Sequence, residues 1–467
     1  MEFLKDEKKL FLFTFAAFFL FQFFSFLGYL NPFLSGLFFL LIIIGTFYLT
    51  LKNTNFGLLV LFFEFLAGHE GHLFSFKGIS LRLSLFLVVM IVWFLKRDFR
   101  RLWKKKLKFS SFFLLFIFFL VFGLIKGFLN NSLFAIKDFI NYAYLFLAFP
   151  LAGFFKERQN RRNLYVIFKA LIPAIFLLTV FVLILFSTGL AEVHDQFYWW
   201  WRGTVIGKAT YAGFYFYRIV TPAHLLVLPL LLLALSLWFA SGKDEDWEKK
   251  ALSLALIFGT AALLINFSRA YLLGLLVGLL FLAIGLPKKT WLLGVSVFLL
   301  ILISELVILF AVTSGGQTLG FDFFGQRMKT LVAPEEELSS ATRLMILPVL
   351  VEKIKEKPLL GSGLGMEVSY PDPQTREIKK TRHLDWGYLE ILAELGIFGF
   401  LSFFGLIASL FVKIKEQLKT ASSFAEKRIV VGLGAGLLSL LLASITGPFL
   451  FHALGIFYLS LVIAFLN

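Results

Sequence analysis

The stretch KRDFRRLWKKKLKFSSFFLLFIFFLVFGLIKGF, residues 96–128, decides the fold. Its first part, residues 96–108, holds eight Lys and Arg, and residues 109–128 are almost entirely apolar. About 20 apolar residues are enough to cross a bilayer as a helix. Because lipid offers the backbone no hydrogen-bond partner, such a run must be helical. The stretch therefore predicts a transmembrane helix that begins beside a cationic loop.

Apolar runs of this kind recur along the chain, whose 467 residues are 59% hydrophobic. A soluble chain of this length carries more charge. The runs predict an all-α fold, a polytopic transmembrane helical bundle of 12–14 spans that forms a single integral membrane domain over residues 1–467. The third predicted span is short and is either a full span or a re-entrant segment. The spans are predicted at residues 10–28, 33–51, 55–68, 78–95, 109–128, 133–155, 164–188, 222–240, 250–267, 270–286, 290–312, 385–412, 429–446 and 449–466.

The formal charge of +16 is concentrated in short runs between the spans, so membrane orientation explains it better than nucleic-acid binding. Residues 96–108 and 156–162 are separated by two spans and therefore face one side, which the positive-inside rule makes cytoplasmic. Both chain ends fall on the same side by alternation. The basic linkers at residues 243–250, 287–289 and 413–428 also fall on that side. The first span is predicted to be a retained anchor.

Two segments are then external, residues 189–221 and the long loop 313–384. The long loop is predicted to contain an amphipathic helix that lies on the outer membrane surface. Candidate N-cap oxygens precede an apolar repeat at helical spacing, although Pro348 should kink such a helix. The caps are Ser339, Ser340 and Thr342, and the repeat is Leu344, Leu347, Val351 and Ile354.

Arginine is the residue type that suggests chemistry on the external face. Its planar fork binds phosphate oxygens bidentately, and a cation at the end of a span needs either a partner or a route to the lipid headgroups. For any single arginine here, either phosphate binding or contact with the lipid headgroups explains its position. Arg218 and Arg269 stand out because each lies where a span begins or ends. The external arginines are Arg202, Arg218, Arg269, Arg327, Arg343, Arg376 and Arg382.

A second polar segment opens the span at residues 385–412. His383 is the histidine of the long loop, and a histidine can take a proton near neutral pH. The carboxylates Asp385, Glu390 and Glu394 follow it. Glu394 lies deep enough in its helix to need a partner, either in a polar cavity or in a buried ion pair.

Other motifs give weaker signals. The glycine-rich run at residues 361–365 lacks the strand and lysine of a phosphate-binding loop, so a tight turn with close backbone packing is the better interpretation. The stretch HEGH at residues 69–72 has poor zinc spacing, so no metal site is predicted. The chain contains no cysteine, which excludes thiol catalysis and thiolate metal sites.

Three stretches together resemble the O-antigen ligase and polymerase superfamily of membrane glycosyltransferases. Residues 266–274, NFSRAYLLG, are similar to that family's Ser-Arg-Gly turn, with Ala270 in place of glycine. Arg343, followed by PLLGSGLG at residues 358–365, is similar to its arginine and glycine-rich run. Residues 383–399, HLDWGYLEILAELGIFG, are similar to its His-Asn-x-Tyr-Leu segment, with Asp385 two positions after the histidine rather than an asparagine one after it.

The resemblance implies a glycosyltransferase whose donor is an undecaprenyl diphosphate-linked glycan. It implies catalytic roles for His383, Arg269 and Arg343, with the arginines holding the diphosphate and the histidine deprotonating the acceptor hydroxyl. The attack then inverts the anomeric carbon without a cofactor or metal. Substrate-binding roles are predicted for Arg218, Arg382, Tyr388, Glu390 and Arg202. The enzyme is expected in the bacterial inner membrane, among membrane lipids, with its active site facing the periplasm and no nucleic-acid partner.

Within the superfamily we favour an O-antigen ligase, which transfers the glycan to lipid A-core in lipopolysaccharide biosynthesis. The long loop lies between a late span and the His383 span, and the Ser-Arg turn is well formed. A polymerase that extends the growing glycan, or an oligosaccharyltransferase acting on pilin, remains an alternative. An ion-coupled membrane transporter is the alternative from another class, because intramembrane carboxylates can couple ions. Those carboxylates are Glu64, Glu305, Glu390 and Glu394.

Overall fold

A computed structural model describes residues 6–96, 109–130, 133–192, 194–240, 246–332, 338–372, 377–382 and 384–467. The first half of the chain forms helices joined by short turns, with one small hairpin. Its elements are α1 (Glu7–Leu30), α2 (Pro32–Lys52), α3 (Thr54–Ala67), β1 (Ser75–Phe76), β2 (Ile79–Ser80), α4 (Leu81–Leu95), α5 (Ser111–Leu129), α6 (Phe134–Ala143), a 3₁₀ turn (Tyr144–Leu147), α7 (Ala148–Phe154), α8 (Arg158–Ser187) and α9 (Gln196–Gly203).

The second half continues the bundle and adds two antiparallel hairpins. Its elements are β3 (Lys208–Tyr211), β4 (Tyr217–Val220), α10 (His224–Trp238), α11 (Asp246–Asn266), α12 (Arg269–Phe281), α13 (Lys288–Thr313), α14 (Phe321–Val332), α15 (Leu338–Glu356), β5 (Val368–Pro371), β6 (Ile378–Thr381), α16 (Gly387–Thr420), α17 (Phe424–Ala443) and α18 (Ala453–Phe465). In the hairpins, Lys208 pairs with Val220 and Val368 pairs with Thr381.

The all-α membrane fold is confirmed. Each of the predicted apolar segments coincides with a helix, and the segment at residues 133–155 is divided by the 3₁₀ turn into α6 and α7. Within the described residues, seven helical segments are long and apolar enough to cross a membrane, and five more are apolar but shorter. The predicted short third span is α3, of 14 residues.

Asparagine residues set the first two turns of the bundle. The N–H of Asn31 donates to Leu27 at the end of α1, and its side-chain oxygen accepts from Phe33 N–H at 3.0 Å. Asn53 repeats this arrangement between α2 and α3, where it accepts from Asn55 N–H at 3.0 Å. One residue therefore ends one helix and caps the next, as N-cap chemistry allows. This explains why long apolar runs turn without a polar loop.

Helices α10, α17 and α18 form the centre of the bundle, and their side chains are almost all buried. Glycines allow this close packing: a Cβ atom at Gly436 would overlap the Tyr458 hydroxyl, and one at Gly278 would overlap Leu232. Small residues at helix interfaces let membrane helices approach in this way. Helices α2 and α13 lie at the periphery and expose most of their apolar side chains.

Helix α16 is interrupted at Gly396, whose φ of 68° and ψ of −175° are not helical. Inside a bilayer, backbone groups freed by such a break need partners from the protein. Residues 358–365, which we call the glycine loop, supply them. The N–H groups of Ser362 and Gly363 donate to the carbonyls of Ala393 and Glu394 at 2.7 and 2.9 Å.

The other side of the break is paired in the same way. The N–H of Ile397 donates to the Pro358 carbonyl at 2.8 Å. The glycine loop is also bound to α5, because Leu364 N–H donates to the Gly123 carbonyl at 3.0 Å and Lys126 Nζ donates to the Gly361 carbonyl at 2.5 Å. The loop therefore joins two membrane helices through its backbone.

The interpretation of this glycine run as a tight, closely packed loop is supported. Gly361 and Gly363 have φ values of 64° and 93°. A Cβ atom at Gly361 would overlap the Glu394 carbonyl, and one at Gly363 would lie 2.5 Å from Gly127 N. Only glycine combines this backbone conformation with this approach.

Residues 313–384, the segment predicted to be external, contain the predicted helix, α15, but the predicted details differ. It begins at Leu338, so that Thr342 lies inside the helix rather than at its cap. Ile346 and Leu350 pack against Val368 and Ala393, whereas Leu344 is exposed. Within the predicted repeat, Ile354 packs against the same cluster and Leu347 and Val351 are partly buried. The most buried side of the helix is shifted toward Ile346 and Leu350 because it faces β5 and α16. A further helix in this loop, α14, was not predicted.

The topology can be tested with single cysteines, because the chain has none. Gln317→Cys lies at an exposed position of the loop that we predict to be external, and Lys419→Cys lies at the opposite end of α16. An impermeant thiol reagent should label Gln317→Cys in intact cells with a permeabilised outer membrane, and should label Lys419→Cys only after lysis. The reverse pattern would contradict the positive-inside assignment.

The glycine loop gives a second prediction, on folding. Gly361→Ala should markedly lower the thermal unfolding temperature in detergent, because a non-glycine residue at such a φ costs about 1–3 kcal/mol and its Cβ atom overlaps the Glu394 carbonyl. Gly325→Ala is the matched control, since nothing lies within 4 Å of a Cβ atom there. Equal unfolding temperatures for the two variants would show that the glycine loop does not need a glycine at position 361.

Candidate functional site

The candidate site lies on the outer face, which we define by the helix ends at Ala67, Leu129, Ser187, Asn266 and Ala443. The start of α16 lies on this face, and Arg343 is held against it. Arg343 Nε lies 3.6 Å from Asp385 Oδ2, and Trp386 Nε1 donates to the Arg343 carbonyl at 3.0 Å. The φ of Asp385 is 55°, a strained value for this residue type that is frequent at functional sites.

The predicted base, His383, lies outside the described residues, as does Arg376. Its neighbours on both sides are described. Arg382 stacks on the Phe134 ring at 4.6 Å and lies 4.0 Å from Asp138 of α6. Asp385 and Trp386 contact Arg343 as described above. Arg382 is therefore held by α6, and residues 385–386 are held by α15.

Three polar side chains follow on α16. Tyr388 donates its hydroxyl to the Leu441 carbonyl at 2.5 Å, so that it joins α16 to α17. Glu390 has a buried Oε2 atom without a hydrogen-bond partner among the described residues. Glu394 is buried and accepts the Gly365 N–H at 3.0 Å. The sequence indicated that Glu394 needs a partner, and that partner is a backbone amide of the glycine loop. Neither the charge pattern nor the residue spacing could identify it.

A second polar group surrounds the Ser-Arg turn between α11 and α12. Arg218 of β4 donates from Nε to the Asn266 carbonyl at 2.5 Å. Asn266 Nδ2 lies 3.0 Å from His224 Nδ1, which also accepts the Thr221 N–H at 3.1 Å. His224 is fully buried. Sequence analysis missed this histidine because nothing in the sequence indicates that α10 meets the turn.

Arg269 is the first residue of α12, directly after this turn. Phe267 in the turn has a φ of 48°, so the backbone is strained beside the arginine. Arg202 is placed differently. It is exposed at the end of α9 and donates to the Gly207 carbonyl in its own loop at 3.2 Å. Within the part of the chain that the structure describes, no hydrogen bond or ion pair joins Arg202 to the other arginines.

Residues 444–452, which we call the bridging segment, connect the two groups. The Phe449 ring lies 5.2 Å from the Tyr271 ring, two residues after Arg269. The Phe451 ring lies 5.8 Å from the Tyr388 ring at the start of α16. The segment therefore runs from the Ser-Arg turn to the helix that follows His383.

The HEGH stretch and its surroundings are held by an ion pair and by a hydrogen bond between a histidine and a carboxylate. Arg82 donates from Nε to Glu64 at 2.7 Å and from Nη2 to the His69 carbonyl at 2.7 Å, and both charged side chains are almost fully buried. Glu70 pairs with His452 at 2.9 Å. Across the described ranges, no group of three His, Cys, Asp or Glu side chains is placed to hold a metal ion.

Comparison with known proteins agrees with the motifs. A family model described as O-antigen ligase matches residues 254–404, from α11 to the middle of α16. The match contains Arg269, Arg343, the glycine loop and the start of α16, whereas Arg218 lies before it. A search of curated proteins finds no match. Residues 254–404 are therefore similar to the O-antigen ligase family of membrane enzymes.

Proposed function

We propose that the protein is an O-antigen ligase that transfers an undecaprenyl diphosphate-linked glycan to a sugar of lipid A-core at the periplasmic face. One observation carries the proposal: Arg343 lies 3.6 Å from Asp385, two residues after His383. A cation suited to phosphate thereby contacts the residue that lies two positions along the chain from a histidine suited to proton transfer. The family match covers both positions.

In this proposal Arg269 and Arg343 bind the donor diphosphate. As the bond between the anomeric carbon and the diphosphate breaks, negative charge develops on the leaving group. Fixed guanidinium groups stabilise that charge more strongly than they stabilise the ground state. Arg218 is anchored to the Asn266 carbonyl, and Arg382 is anchored beside Asp138. Each therefore adds a positive charge at a fixed position.

His383 is the proposed general base. It takes the proton of the acceptor hydroxyl, the hydroxyl oxygen forms the new bond to the anomeric carbon, and the diphosphate leaves from the opposite side, so the configuration inverts. An unperturbed imidazole is partly neutral at pH 7 and can accept a proton without a large pKa shift. This chemistry uses side chains of the protein alone.

A polymerase would use the same chemistry with another lipid-linked repeat as the acceptor. Gene deletion separates the two functions by product. Loss of a ligase should leave long glycan unattached to lipid A-core, and loss of a polymerase should leave single repeats on the lipid carrier. The long external loop, with α14, α15 and the β5–β6 hairpin, favours the ligase because it gives a large acceptor a structured surface.

Contacts of the intramembrane carboxylates argue against an ion-coupled transporter. Glu64 is paired with Arg82 at 2.7 Å, and Glu394 accepts a backbone N–H of the glycine loop. Both groups therefore have structural partners that a transported ion would need to displace. Glu305 lies on the peripheral helix α13, with both carboxylate oxygens buried near Thr260 of α11.

Loss of His383 gives a direct test. His383→Ala should lower turnover by about 10²–10⁴, the usual effect of removing a general base, while leaving donor binding and folding intact. The measurement is transfer of an undecaprenyl diphosphate-linked glycan to rough lipopolysaccharide by purified protein in detergent. Donor binding is measured alongside. Turnover above about a tenth of the wild-type rate would exclude His383 as the base.

Arg269→Ala supplies the contrast. It should weaken donor binding as well as turnover, because the guanidinium contacts the diphosphate before and during the reaction. Lys379→Ala is the matched control. It removes a positive charge from the same external region, where Lys379 pairs with Asp372 at 2.6 Å in an exposed hairpin. Equal effects of the two variants would mean that general charge on this face, rather than a site, binds the donor.

A further inference from the structure

The pair formed by Glu70 and His452 belongs to no motif of the proposed reaction. His452 Nε2 lies 2.9 Å from the Glu70 carboxylate, and each side chain is about a quarter exposed, 26% and 27%. The pair joins the turn after α3 to the first turn of α18, across 382 residues of sequence. It is therefore a partly accessible polar contact on the outer face.

The contacts of His452 indicate which of its ring nitrogens carries the proton. Its Nδ1 atom accepts the Leu454 N–H at 3.4 Å as the N-cap of α18, so the ring proton lies on Nε2 and is donated to Glu70. In the neutral form both ring nitrogens are then engaged. His452 has no lone pair left for an incoming hydroxyl, and its role is to orient the Glu70 carboxylate.

Glu70 is ionised at neutral pH. Burial raises the pKa of its carboxyl, but the hydrogen bond from His452 and the positive charge of Arg82 lower the pKa by more. An ionised carboxylate accepts hydrogen bonds and donates none. Since His452 supplies only one donor, the carboxylate retains lone pairs for hydroxyl donors from outside.

The position of the pair connects it to the candidate site. His452 ends the bridging segment, whose Phe449 contacts Tyr271 and whose Phe451 contacts Tyr388. On the other side, His69 precedes Glu70 and is close enough to His224 for the two rings to interact electrostatically. The pair thus lies between the Ser-Arg turn and the start of α16.

We propose that Glu70 binds hydroxyl groups of the acceptor sugar and that His452 is its positioning residue. This inference rests on the proposed transfer function and names a subsite of it. A carboxylate repels a diphosphate, so the lipid-linked phosphates are not its ligand. A neutral sugar donates hydroxyl protons to a carboxylate without adding charge, and hydrogen bonds to charged groups are the stronger ones. The donor is held mainly by its diphosphate and lipid, so we assign these hydroxyl contacts to the acceptor.

Glu70→Gln tests the inference, because it keeps the shape of the side chain and removes the charge. In the transfer assay with rough lipopolysaccharide as acceptor, it should raise the acceptor KM about tenfold, the equivalent of a lost hydrogen bond to a charged group. The kcat and the donor Kd should stay close to wild type. Glu192→Gln is the control, because it removes one negative charge from an exposed position in the other external segment.

Variants of His452 separate positioning from folding. His452→Gln keeps a donor for Glu70 and should retain the acceptor KM, whereas His452→Ala should raise it as Glu70→Gln does. Glu70→Asp keeps the charge and should raise the acceptor KM less than Glu70→Gln does. The aspartate variant still tests the inference if the glutamine variant does not fold. Unfolding temperatures in detergent are compared for all variants.

If the wild-type protein transfers the glycan, three results would overturn the inference. One is an acceptor KM for Glu70→Gln equal to that of Glu192→Gln. The second is a fall in kcat at unchanged KM, which would place Glu70 in the chemical step. The third is a change in donor Kd alone, which would assign the pair to the donor. Absence of transfer by the wild-type protein would instead contradict the proposed function.

Discussion

The hydrogen bonds between the glycine loop and the break in α16 hold the long loop at residues 313–384 to the helical bundle. Backbone groups freed inside a bilayer must find partners in the protein. Here Gly396 frees them and residues 358–365 pair with them, while Leu364 and Lys126 extend the contact to α5. Because α15 ends just before this loop and α16 starts just before the break, one set of backbone bonds fixes the relative position of Arg343 and the segment after His383.

The outer face combines fixed cations with strained turns. Arg343 is held by Asp385 and Trp386, Arg382 by Phe134 and Asp138, and Arg218 by the Asn266 carbonyl. Asp385 and Phe267 adopt positive φ values next to these groups. Strain of this kind persists only when the surrounding packing determines it, and it is concentrated at functional sites. The bridging segment joins the two groups, because Phe449 contacts Tyr271 and Phe451 contacts Tyr388.

Sequence patterns predicted the membrane fold well, because hydropathy and span length are set by the bilayer rather than by distant contacts. The glycine loop was also predicted as tightly packed, since its residues leave few other conformations. The patterns could not show that Glu394 bonds to Gly365, that α15 packs through Ile346, or that Glu70 meets His452 across the whole chain. Each of these is a tertiary contact between elements whose adjacency no local period encodes. For the same reason, the most buried side of α15 includes Ile346 and Leu350 rather than Leu344.

The central claim is that Arg269 and Arg343 bind one diphosphate at the outer end of α16. The most direct measurement is a structure of the protein in lipid nanodiscs with bound undecaprenyl diphosphate. The account predicts that both guanidinium groups contact phosphate oxygens in a single outward cavity, next to His383. A diphosphate bound elsewhere, or the two arginines opening into separate cavities, would contradict it.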